Sequence, residues 1–105
     1  MMNHFNGTVI YGTLLNQDLL PEFVATALEI NPDKTLYRLS EFLPNMRALI
    51  YEHDHPWWQS DDAVHALDAV IDLLNEYAPE GIYFGAHPDD GADFGFWRVN
   101  DDDNS

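Results

Sequence analysis

Five histidines, nineteen carboxylates and no cysteine define the side-chain chemistry open to this 105-residue chain. The first constellation is Glu52-His53-Asp54-His55. In an extended segment, alternation would point His53 and His55 the same way, which is the start of a two-histidine chelate. His87 with Asp89 or Asp90 could complete a metal centre, and the whole would then be a small hydrolase working through metal-activated water. The plainer reading makes 52–55 a polar surface loop. It makes Ala86-His87-Pro88-Asp89-Asp90 a hairpin loop in which Asp and Gly supply turn geometry. Nucleophilic catalysis has no support: there is no cysteine and no Gly-x-Ser-x-Gly elbow, and Ser40, Ser60 and Ser105 have no telling neighbours. Phosphate-binding glycine loops are absent as well.

The second constellation is a row of acids. Asp61, His65, Asp68, Asp72 and Glu76 recur at intervals of three or four, so a helix would carry them along one side, with Asp62 beside them. Asp68, Asp72 and Glu76 would then stand roughly 6 Å apart along the axis. No lysine or arginine follows at i+4 to relieve the repulsion. Together with Asp89, Asp90 and Asp93, such a row imitates the charge density of a nucleic-acid backbone. A solvated face that keeps the protein soluble, or a halophilic origin suggested by thirteen Asp against six Glu and a single Lys, accounts for the same composition without a partner.

The net charge of −15 is unevenly spread: residues 1–50 carry five acids and three bases, and residues 51–105 carry fourteen acids and one base. A field of that sign repels nucleic acid and anionic membrane and steers basic protein surfaces inward. The expected function is therefore non-enzymatic. The chain should bind a basic nucleic-acid-binding protein through Asp61, Asp62, Asp68, Asp72, Glu76, Asp89, Asp90 and Asp93, without a cofactor. Trp57 and Trp58 are candidate hydrophobic anchors for the same kind of contact, because tryptophan is favoured at interface hot spots. On that reading the protein could also be an acidic adaptor with no mimicry.

Positioning these residues requires one small α+β domain over 1–100, followed by an acidic, disordered tail over 101–105. Thr8 to Leu14 reads as a first strand. Leu20, Phe23, Val24, Ala27 and Leu28 form the apolar stripe of a helix that has Pro21 in its first turn and stops at Asn31-Pro32. One or two short helices are expected between Asp33 and Tyr51, interrupted at Pro44. Ser60 should cap a helix running from Asp61 to about Tyr77 that buries Val64, Leu67, Val70, Ile71 and Leu74. Ile82 to Ala86 and Phe94 to Val99 should pair as a hairpin, giving a small, mostly antiparallel sheet covered by two to four helices. The absence of cysteine fits a reducing compartment, and no stretch approaches the length of a membrane span, so the expected location is the cytoplasm.

Two segments resemble known proteins. Ala86-His87-Pro88-Asp89-Asp90 looks like the zinc-binding core of N-acetylglucosaminyl deacetylases, although Gly91 stands where that family has Glu. This resemblance implies His87 and an Asp as zinc ligands and another Asp as base. The longer stretch from Tyr83 to Trp97, with the opening Gly7 to Leu14, resembles small proteins carried by bacteriophages, prophages and plasmids, a group that brings no assigned activity. Small acidic proteins of mobile elements are similar in charge and size to inhibitors of restriction and CRISPR nucleases, which makes such a nuclease the implied partner by analogy.

Overall fold

Gly12 ends the first strand because its φ of +89° turns the chain into a conformation that side-chain-bearing residues avoid. The structure, a computed structural model, describes residues 7–98. In chain order these form β1 (Gly7–Tyr11), α1 (Asn16–Ile30), α2 (Pro32–Arg38), α3 (Leu43–Ala48), a 3-10 turn over Pro56–Gln59, α4 (Asp61–Tyr77), β2 (Ile82–His87) and β3 (Asp90–Arg98). The strands make one antiparallel sheet in the order β1-β3-β2, and its apolar face packs on the helices. This is the small α+β architecture that the sequence predicts. No described helix is long and apolar enough to cross a membrane. The acidic tail 101–105 and the expected strand end at Val99 lie outside the described residues.

The core forms where α1, α4 and the sheet converge. Phe23 of α1 meets Phe84 edge-on with ring centroids 4.8 Å apart, and Phe84 in turn meets Phe96 across the hairpin at 5.0 Å. A bulge in β1 between Thr8 and Ile10 interrupts the alternation, which lets Val9 and Ile10 both pack against the core. Opposite the bulge, β3 can only be glycine at position 95, since a Cβ there would overlap the Gly7 carbonyl. Thr35 is the one buried polar side chain among the described residues. It donates to the Ala27 carbonyl (3.0 Å) and shares a 2.8 Å hydrogen bond with the Tyr77 hydroxyl, tying α1, α2 and α4 together.

Three expectations need correction. Strand β1 stops at Tyr11, so Thr13 and Leu14 belong to the connection into α1. Helix α1 begins at Asn16, which places Pro21 inside it rather than in its first turn. The start is fixed earlier by polar groups: the Thr13 hydroxyl donates to Asp18 at 2.6 Å and accepts the Leu15 N–H at 3.1 Å. On α4 the buried stripe is Ala63, Ala66, Val70, Leu73 and Leu74, and Val64 is 44% exposed. The sequence pattern favoured the larger aliphatic residues, but α4 turns its alanines inward, with Leu67 and Ile71 on the flanks.

The free edge of β2 is closed by a side chain. Asn75 of α4 accepts the Phe84 N–H at 2.9 Å and donates to the Phe84 carbonyl at 3.1 Å, in the manner of a neighbouring strand. Just before it, the Ile82 N–H is taken by the Pro79 carbonyl at 3.0 Å. Replacing Asn75 with Ala leaves both part-buried groups of Phe84 without these partners, so Asn75→Ala should lower unfolding free energy by about 1–3 kcal/mol. Urea denaturation of the two proteins checks this, and an unchanged midpoint would remove Asn75 from the account of the edge.

Candidate protein-binding interface

The 52–55 segment is a turn, with the His55 N–H on the Glu52 carbonyl at 3.0 Å, so alternation does not apply and His53 and His55 do not act as a pair. His53 Nε2 lies 2.7 Å from Asp18, and His55 Nδ1 accepts the Trp57 N–H at 3.0 Å, capping the 3-10 turn. His87 Nδ1 accepts the Asp89 N–H at 3.0 Å inside the hairpin turn, and its ring lies edge-on to Trp97. His53, His55 and His87 thus each serve a structural bond, and no group of three or more His, Asp or Glu among the described residues could hold a metal ion. The Ala86-His87-Pro88-Asp89-Asp90 motif spans the end of β2, the two-residue turn Pro88-Asp89 and the start of β3.

The acidic row is exposed along α4, as its spacing implies, but Glu76 is not free. Lys34 reaches it at 2.9 Å, and the Arg38 guanidinium grips both its oxygens at 3.3 and 3.0 Å. These cations come from α2, so a search for i+4 partners along one helix misses them. Hydrogen bonds from Arg38 and then Lys34 pull the Glu76 carboxyl from its ordinary 4.5 down to about 2. Arg38 is raised in return, chiefly by Glu76 and weakly by Asp72. Net negative potential is therefore greatest toward the start of α4, at Asp61, Asp62 and Asp68, where no described ion pair forms.

On the hairpin, Asp89 is exposed, while Asp90 and Asp93 are half-buried. Asp90 accepts the Ala92 N–H at 3.1 Å, and Asp93 accepts the Thr8 hydroxyl at 2.7 Å across the sheet. The Gly12 N–H bonds the Ala92 carbonyl at 2.9 Å, which puts the hairpin beside the end of β1, while Asn16 and Gln17 at the start of α1 hold the segment that leads into α4. The acids of the loop and those at the start of α4 are thus linked through the short 12–16 connection, and together these segments form the acidic pole discussed below.

Trp58 is part of the interior, so its ring is not exposed to a partner. Trp58 is 1% exposed and donates its indole N–H to the Glu52 carbonyl at 3.0 Å. Trp57 lies half-buried against it, ring to ring at 5.1 Å, with its own Nε1 unpartnered. Their packing positions the acidic pole instead. Asn16 donates to the Trp58 carbonyl at 2.9 Å, Gln17 to the His53 carbonyl at 3.1 Å, and Gln59 to Gln17 at 3.2 Å, which pins the 52–59 segment onto the start of α1. Asp18, held low by Thr13 and then His53, is the charged centre of that seam. These long-range partners had no signal in the sequence, because nothing in local spacing pairs residues some 35 to 42 positions apart.

No family model matches the chain, and no curated protein and no solved structure matches it.

The Glu76 clamp carries a pH signature. Its carboxyl is a stronger acid in the folded chain, so its stabilisation is complete above pH ~4.5 and is lost as pH falls through about 2. Thermal melts of wild type and Glu76→Gln should differ most above pH 5 and converge toward pH 2. A constant difference across that range would refute the clamp.

Proposed function

We propose that this chain is a non-enzymatic acidic protein that occupies the basic nucleic-acid-binding surface of another protein. The observation that carries the reading is the contrast within α4: Glu76 is neutralised by two cations, while Asp61, Asp62 and Asp68 stand exposed with none in contact. The chain has the means to neutralise acids, since Lys34 and Arg38 are spent on one, yet it leaves the others facing solvent. A concentrated field of this kind raises the encounter rate with cationic surfaces and repels nucleic acid itself.

The likeness of the Tyr83–Trp97 segment to proteins of bacteriophages and plasmids supports a host-defence nuclease as the target. Charge and size agree with that analogy. Purified restriction and CRISPR nucleases, assayed for DNA cleavage with the chain added, test the reading directly. Inhibition should fall steeply as salt rises, and Asp61→Asn/Asp62→Asn/Asp68→Asn should weaken it roughly tenfold or more, whereas Glu76→Gln should change stability and leave inhibition nearly intact. Inhibition indifferent to the triple substitution would rule the interface out.

A further inference from the structure

Aliphatic and aromatic side chains stand exposed where the chain passes from the hairpin's neighbour strand to the start of α1: Tyr11 is 67% exposed, Leu14 66% and Leu15 51%. They follow one another through the connection from β1 to α1. On one side the Gly12 N–H bonds the Ala92 carbonyl at 2.9 Å, and Tyr11 is registered against Asp93, so the hairpin acids adjoin them. On the other side Asn16 and Gln17 hold the 53–58 segment, which brings Asp54 and the start of α4 alongside. The apolar residues therefore lie between Asp89, Asp90 and Asp93 on the hairpin and Asp54, Asp61 and Asp62 across the seam.

We propose that Tyr11, Leu14 and Leu15 form the apolar seat for a basic amphipathic helix of the partner, whose apolar stripe covers them while its flanking lysines and arginines meet the carboxylates on either side. This rests on the acidic reading above and deepens it from a charged surface to a seat with an apolar centre. Charge complementarity selects the occupant. A second copy of a chain with net charge −15 would bring like charge against like, and an anionic lipid surface would be repelled in the same way. A cationic helix with one apolar face satisfies both the rim and the centre, as in other helix-on-apolar-surface contacts. Fold constraints do not explain the exposure of Leu15, since it occupies the N-cap of α1 with no side-chain cap bond, a position that serine fills better.

The test uses the full chain and its Leu14→Ser/Leu15→Ser variant, with Tyr11→Thr as an independent second variant that keeps strand propensity. The probes are a synthetic leucine-lysine peptide with a helical amphipathic repeat, a scrambled peptide of the same composition, and polylysine, titrated at low and at physiological ionic strength. The wild-type chain should favour the amphipathic peptide over the scrambled one, and either variant should lose roughly tenfold in affinity for it while binding polylysine unchanged. If polylysine binds but the two leucine-lysine peptides are not distinguished, the seat is wrong and the acidic interface stands. If polylysine does not bind the wild type, the acidic interface has failed and the seat with it. A Leu14/Leu15-dependent dimer in sedimentation, or wild-type binding to phosphatidylcholine vesicles that the variant lacks, would overturn the proposal by giving the patch to another occupant.

Discussion

The contact of Phe23 with Phe84 and Phe94 joins the two layers of this protein, and the rest of the structure is arranged around the fact that only one face of the sheet can be buried. A three-stranded sheet backed by two long helices has enough apolar area for a single interior. Phe23 stands at its centre, edge-on to Phe84 at 4.8 Å and tilted against Phe94 at 5.5 Å. The bulge in β1 adds to that interior by turning Val9 and Ile10 inward together. Alanines rather than leucines line the N-terminal half of α4's buried stripe, so close approach rather than bulk sets the packing there.

Polar groups then decide how the elements are held relative to that core. Asn75 closes one sheet edge by imitating a strand, and Thr35 bridges three helices at a point where an unpaired hydroxyl would be costly. At the opposite end from the Thr35 bridge, Thr13, Asp18 and His53 fasten the 52–59 segment to the first turn of α1. This second seam is exposed and built from charged and amide side chains. It therefore contributes less to stability than the core does, and more to the placing of the acids around it.

The sequence made the elements legible wherever periodicity and capping agreed. Ser60 caps α4 through the Ala63 N–H, α4 ends at Tyr77, Asn31 ends α1, and the hairpin pairs through the predicted aromatic runs, although β3 starts at Asp90, ahead of the expected Phe94. It misjudged faces and partners. Val64 and Ala63 differ in size, and hydropathy alone points the larger one inward; which side of α4 meets α1 depends on how closely the helices approach. The 52–55 histidines failed as a chelate for a related reason, since alternation was applied to a segment that turns. Glu76 was counted among free acids because its two cations lie on another helix, 38 and 42 positions away for Arg38 and Lys34 respectively. Charge along one helix is visible in sequence, whereas neutralisation across helices is a property of the fold.

That neutralisation gives the surface a direction. With Lys34 and Arg38 drawn to the C-terminal end of α4, the unpaired acids concentrate where the helix begins, where they also face the positive end of its dipole. Asp61 and Asp62 in the first turn thus sit favourably against the backbone dipole without any basic side chain in contact. Electrostatics of this sort governs how often two proteins meet, while the desolvated apolar contacts at the centre of an interface govern how long they stay together. A purely solubilising acidic surface needs only the first property. Exposed Tyr11, Leu14 and Leu15 reduce solubility rather than raise it, so solubility alone does not account for them.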